Sequence, residues 1–249
     1  MAQVWEQQSS KPFADEITAY SFDERGAIYI GTANGTVRQI SSDGTELDFS
    51  YPNSGPLTLV QGRNPLLPFL FFRDFQQAIV LDRFLSNPVV YDIQAFAGGF
   101  AWLATPAVDR HIWLLKTSPL TILKVDPLSN SIVQSTPLVI DFPLQNVVFF
   151  KAQRNLLMVV DAEYGVLVFD LFGNPILSLE QTGIHYAHIS ESTLITYASD
   201  TILSKSLTTD TPATMLKGPG SGYEAVIKRG DSYHFIGKQS VDQFTLRQK

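Results

Sequence analysis

Three segments of this chain share one grammar: "IVLDRFLSNPVV" (79–90), "LKVDPLSNSIV" (123–133) and "LVFDLFGNPIL" (167–177). Each passes from an apolar strand through an Asp and a Ser/Gly-Asn turn into a second apolar strand. Asp82, Asp126 and Asp170 stand 44 residues apart both times. A period in that range points to a repeat architecture and constrains the fold more than any local pattern does. Looser copies lie upstream, "VRQISSDGTEL" (37–47), and downstream, "KSLTTDTPATML" (205–216).

Turn chemistry divides each unit into four short strands. The first reads "ITAYSFDE", a turn at Arg25-Gly26, "AIYIGT", a turn at Ala33-Asn34-Gly35, "TVRQIS", a turn at Asp43-Gly44, then "TELDF". Asn-Gly and Asp-Gly supply the positive φ angles of tight hairpins, so these four strands form a meander. The fourth unit repeats it as "NVVFFKA", "LLMVVD", "VLVFDL" and "PILSLEQ". Units fall near 17–51, 56–93, 96–140, 144–181, 185–217 and 222–249. The sixth holds only three strands, "YEAVIK", "YHFIG" and "VDQFTL", while "QVWEQQS" (3–9) precedes the first unit with no partner of its own. Placing that segment as the fourth strand of the sixth sheet closes the repeat and removes an exposed edge. The expected fold is all-β, a six-bladed β-propeller of four-stranded blades in one domain, residues 1–249. A sandwich or large barrel would not explain a four-stranded repeat of this period.

The stretch "ITAYSFDERGAIYIGTANGTVRQI" (17–40) resembles one repeat of bacterial propellers: the sensor propellers of two-component regulators and the related NHL-type and TolB-like propellers. The shared pattern is an apolar strand, D-x-x-G, the "IYIGT" strand, Asn-Gly and another strand. It is good over this blade, partial at the third and fourth, and poor at the second and fifth. The resemblance implies the propeller fold; it brings no catalytic motif with it, and propellers host many unrelated functions.

Composition narrows the function classes. The chain is 45% hydrophobic and 17% charged, with a net charge of −6 and its 18 Lys and Arg scattered singly. It lacks the basic stripe that phosphate backbones require, which argues against nucleic acid. There are no cysteines, so thiol catalysis and Cys-zinc sites are excluded. The apolar run "NPLLPFLFF" (64–72) is broken by prolines and too short to span a bilayer. Ala2-Gln3 reads as the remnant of a small-residue signal cleavage site with Met1 added, giving a periplasmic or extracellular setting; a cytosolic start reads the same, so a cytoplasmic setting stays open.

In a propeller, the loops from second to third strand and those between blades share one face. There the sequence places Arg73, Asp74, Asp161, Glu163, Tyr164 and Asp200, and from the inter-blade loops Phe13, Asp15, His185, Tyr186 and Tyr223. Polar hairpin ends are the plain alternative for each. In "IHYAH" (184–188) a spacing of three puts His185 and His188 on opposite faces of a strand, so no metal pair is expected; His111 and His234 are isolated. "DAEYG" (161–165) brings two carboxylates close, a pattern used in glycoside chemistry and also in ordinary hairpins. "KGPGSGYE" (217–224) leads into a strand, whereas phosphate cradles lead into a helix. Asn34-Gly35-Thr36 is a formal glycosylation sequon that the hairpin turn already explains. The repeated Asp82, Asp126 and Asp170 suit turn-clipping, and Phe69, Phe71, Phe149, Trp102, Trp113 and Phe169 suit packing between blades.

No catalytic residue, metal site or cofactor is identified by motif. The expectation is therefore a non-catalytic binding or scaffold module that recognises a protein or peptide through its loop face, with a small-molecule ligand as a further option. The rival is a hydrolase or lyase using Asp161, Glu163, His185 and Arg73. A sensor propeller cut from a longer signalling chain is a third reading, against which the self-closing ends argue.

Overall fold

The structure, a computed structural model, describes residues 3–248. Its strands form six antiparallel sheets of four, and the fold is the six-bladed β-propeller expected. The chain divides into two compact units, Asp15–Asp141 with Phe150–Ala152, and Met1–Ala14, Phe142–Phe149 and Gln153–Lys249.

The first unit carries three blades. They are β2 to β5 (Ile17–Phe22, Ile28–Thr32, Thr36–Ile40, Glu46–Ser50), β6 to β9 (Leu59–Gln61, Phe69–Phe72, Gln77–Val80, Val89–Asp92) and β10 to β13 (Leu103–Pro106, Ile112–Thr117, Leu120–Asp126, Ser131–Pro137). The second carries β14 to β17 (Val147–Gln153, Leu156–Asp161, Gly165–Asp170, Pro175–Glu180), apart from Phe150–Ala152 of β14, and β18 to β21 (Ala187–Ser190, Thr193–Ala198, Thr201–Ser206, Thr214–Lys217). Its last sheet runs β22, β23, β24 (Tyr223–Arg229, Ser232–Gly237, Ser240–Gln248) and then β1 (Gln3–Pro12). β1 pairs antiparallel with β24 from Gln3 opposite Gln248 to Pro12 opposite Ser240. Trp5 anchors it, with its ring edge-on to Tyr233 at 4.9 Å and its indole N–H on the Lys217 carbonyl at 2.8 Å.

Burial rises and falls across each blade. Every residue of β3 and β7 is buried, which is why they read as unbroken apolar runs, while the fourth strands β5, β13 and β17 alternate between exposed and half-buried. In the first unit Ala19, Tyr29, Val37, Leu57, Val60, Leu70 and Phe72 join one core cluster. Gly62 abuts it so tightly that a Cβ there would lie 2.1 Å from the Tyr29 ring. Tyr29 is fully buried and has nowhere to swing. Gly62→Ala is expected to cost about 2–3 kcal/mol by overpacking, read as a lower urea midpoint; an unchanged midpoint would show that the ring yields.

The repeated aspartates clip turns as expected. Asp82 Oδ1 accepts from the backbone N–H of Phe84 at 2.9 Å and of Ser86 at 3.0 Å. Asp170 does the same with Phe172 and Asn174, at 2.8 and 2.9 Å, and Asp126 with Leu128 at 2.9 Å. The Asn87 amide, then the Ser86 N–H, hold the Asp82 carboxyl down to about 2.

One element has no counterpart in the sequence reading. A five-residue helix, α1 (Ile93–Ala97), follows β9. Asp92 caps it by accepting from the N–H groups of Gln94 and Ala95 at 3.0 and 3.3 Å, and Gly98 ends it in the left-handed conformation with φ 60°. At one and a half turns it is too short to show helical periodicity. Among the described residues, no helix is long and apolar enough to cross a membrane.

Candidate functional site

In the unit built on the first three blades, Arg73 and Asp74 lie in the hairpin between β7 and β8. The Arg73 guanidinium sits 4.8 Å from the centre of the Trp102 ring, and its Nε is 3.8 Å from Asp74 Oδ1. This is a cation–π perch on a half-buried aromatic. Behind it the buried Gln76 amide donates to the carbonyls of Arg73 and Ala101, at 2.7 and 2.9 Å, and accepts from Ala101 N–H at 2.7 Å. Gln76 thus fixes the loop that carries Arg73. Asp15 is exposed and accepts from the Asn34 side chain at 2.7 Å.

In the other unit the "DAEYG" hairpin is not a pair of cooperating acids. Asp161 is 1% exposed, and both its oxygens are taken by backbone N–H groups. Oδ2 accepts from Gln145 at 2.7 Å and Asn146 at 2.9 Å; Oδ1 accepts from Glu163 at 2.9 Å and Tyr164 at 3.1 Å. Glu163 points to solvent. Tyr164 stacks on Phe142, and its phenol donates to Glu180 at 3.2 Å and accepts from the Ser178 hydroxyl at 2.8 Å. Asp161 therefore organises two loops, with no lone pair left for chemistry.

His185 is exposed, while Tyr186 is buried against Phe149 with ring centres 4.7 Å apart. Burial raises the Tyr186 phenol well above the usual range. His188 is buried, its ring centre 6.0 Å from that of Tyr186. His234 is held neutral, brought down to about 4 by burial first and by Arg229 second. Phe13 is half-buried, its N–H on the Gln239 carbonyl at 2.8 Å. Among the described residues, no group of three or more His, Cys, Asp or Glu could hold a metal ion.

Asp200 and Tyr223, by contrast, come together through residues that sequence reasoning missed. Tyr197 and Tyr223 both pack on Phe235, at 5.5 and 5.2 Å. The Tyr197 phenol lies 3.3 Å from Asp200 Oδ1 and 3.2 Å from the Gly220 carbonyl. Tyr223 donates to Asp242 Oδ2 at 2.9 Å, and the Ser240 hydroxyl reaches the same oxygen at 3.2 Å. Burial, then the Asp242 carboxylate, push the Tyr223 phenol up to about 12, so it remains a donor. Asp242 itself is 7% exposed, and its Oδ1 is buried with no hydrogen-bond partner. The signal for Asp242 was its place two residues into a third strand, beside a loop already on the candidate face. In isolation "VDQF" reads only as a strand.

No protein-family model and no curated protein sequence matches the chain. Solved structures do. Virginiamycin B lyase from Staphylococcus aureus is 9% identical with a TM-score of 0.68, over 97% of this chain and 99% of that one. A catalytically inactive variant of that lyase with quinupristin is 10% identical, TM-score 0.67, over 98% and 99%. A streptogramin B lyase is 10% identical, TM-score 0.62, over 98% of each chain. At such identity the likeness is one of fold.

It nevertheless corrects the expectation of a non-catalytic scaffold. That expectation rested on the want of a catalytic motif, and chains that share this fold over nearly their whole length include lyases. A motif is a local pattern. A set such as Tyr197, Tyr223 and Asp242 is gathered from strands of separate hairpins and leaves no contiguous signature.

Proposed function

We propose that the chain is an enzyme acting on a small molecule, of the lyase or hydrolase kind, with Asp242 as its carboxylate base. The observation that carries this is the asymmetry of that carboxylate: Oδ2 is fixed by Tyr223 and Ser240, while the buried Oδ1 has no partner. A carboxylate held in one rotamer with one unused oxygen is a positioned acceptor for a proton or a ligand donor. Tyr223 and Ser240 act as positioning residues; Asp200 and Tyr197 supply further polar contacts alongside. The fold shared with lyases supports the reaction class without supplying their residues.

The test is turnover of a panel of cyclic and linear esters, quinupristin among them, followed by mass spectrometry. Elimination leaves total mass unchanged, whereas hydrolysis adds one water. Asp242→Asn, folded by circular dichroism, is expected to lower turnover by about a hundredfold or more, the scale of general base catalysis. Turnover that survives this change, or none with any member of the panel, would overturn the assignment.

A further inference from the structure

The unit built on the first three blades has an end that this reading does not use. Gln76, in the hairpin between β7 and β8, bonds in both directions to the backbone of Ala101, just ahead of β10. The second and third blades therefore run the same way, and the hairpins β6–β7, β8–β9, β10–β11 and β12–β13 share the opposite end.

Hairpin tips ordinarily carry Gly, Asn, Asp and Ser. The first blade follows that habit, with Glu24-Arg25-Gly26 and Asp43-Gly44 at its tips. The second and third blades do not. Leu66 and Leu67 of β6–β7 are exposed, as are Phe84 of β8–β9 (59%), Val108 of β10–β11 (94%) and Leu128 of β12–β13 (82%). Three of them stand on fixed backbone: the side chains of Asn64, Asp82 and Asp126 accept from the N–H groups of Leu66, Phe84 and Leu128 at 3.1, 2.9 and 2.9 Å. A single apolar residue in water needs no explanation, but a run of neighbouring tips that all end in one marks an interaction surface.

The charges between the tips indicate what it meets. The carboxylates are engaged: Asp82 on Ser86 and Asn87, Asp126 on Ser129, Asp109 on Lys124 and His111. The guanidiniums of Arg83 and Arg110 are exposed. Arg83 lies 4.5 Å from the centre of the Phe84 ring, and among the described residues neither side chain has a hydrogen bond or ion pair. Separate protruding tips suit a soft, planar medium better than a shaped partner.

We propose that this end docks on the surface of a phospholipid bilayer. Leu66, Leu67, Phe84, Val108 and Leu128 enter the acyl boundary, while Arg83 and Arg110 lay their stems along apolar surface and give their guanidiniums to lipid phosphates. The net charge of −6 opposes long-range attraction to anionic lipid, so the apolar tips supply most of the binding. None of these residues serves the Asp242 site, so either assignment can fail without the other.

The test is co-sedimentation of the full chain with vesicles of phosphatidylcholine and phosphatidylglycerol. Wild type should partition onto them. Phe84→Ser and Leu128→Ser should each lower the partition about tenfold, from the apolar surface no longer buried. Arg83→Gln and Arg110→Gln should each lower it about fivefold. All four positions are exposed, so Tm should not move. Wild type that stays in the supernatant overturns the proposal, and so does partition that the variants keep in full. Self-association of wild type in lipid-free buffer, dispersed by the serine variants and without vesicle binding, would mean that this end covers a second copy and overturns it equally.

Discussion

Asp161→Ala is expected to lose about 3–5 kcal/mol of stability, a large share of what a domain has. One side chain satisfies four backbone donors, those of Gln145, Asn146, Glu163 and Tyr164. Removing it takes the acceptor from these part-buried N–H groups, of which, among the described residues, only Tyr164 keeps another, the Asp161 backbone carbonyl at 3.2 Å, and each orphaned group costs about 1–3 kcal/mol. Asp161→Asn should fall between, since an amide keeps one accepting oxygen and turns its N–H groups toward the other two donors. Guanidinium denaturation reads this directly. A loss below about 1 kcal/mol for the alanine variant would mean that water replaces the carboxylate, and that the loops do not depend on it.

The second large effect runs the other way. Lys151, in β14, is 6% exposed, and Lys151→Met should be more stable than wild type by roughly 3 kcal/mol at neutral pH, the equivalent of its lowered proton affinity. Burial first, then Arg63, bring the Lys151 ammonium down to about 8. Between that value and the ordinary lysine value the unfolded chain binds more protons than the folded one, so wild-type stability rises with pH across that window. The cost of the buried charge is fully present below it. Buried phenols such as Tyr186 act oppositely above pH 10, because their raised affinities favour the folded state only while protonated. The difference between wild type and variant isolates Lys151: it should shrink from pH 8 toward pH 10.5. A constant difference would show that this ammonium is solvated.

The sequence revealed the fold because its determinants are local. An Asp after a third strand, an Asn-Gly or an Asp-Gly each act within about four residues, and the bonds of Asp82 and Asp170 span that distance. The candidate site was less legible because its bonds are long in sequence. Asp161 looked like half of an acid pair, yet its carboxylate turns inward to donors 15 and 16 residues earlier. Asp242 looked like a strand residue, and only its meeting with Tyr223, 19 residues away, marks it. Lys151 was visible as one charge in "NVVFFKA", but alternation alone does not distinguish a lysine reaching solvent from one enclosed by its neighbours.

The pairing of β1 with β24 also sets a schedule. β1 leaves the ribosome long before Ser240–Gln248 exists, and at roughly 5–20 residues per second the wait is on the order of ten seconds to a minute. Five blades can collapse from contacts already made, while the sixth stays one strand short. Throughout that interval the side chains of β1, Trp5 among them, have no ladder to join. A ribosome stalled or a message truncated just before Ser240 would release a chain with most of its core and one unmatched strand, a species suited to recruiting the equivalent edge of another copy.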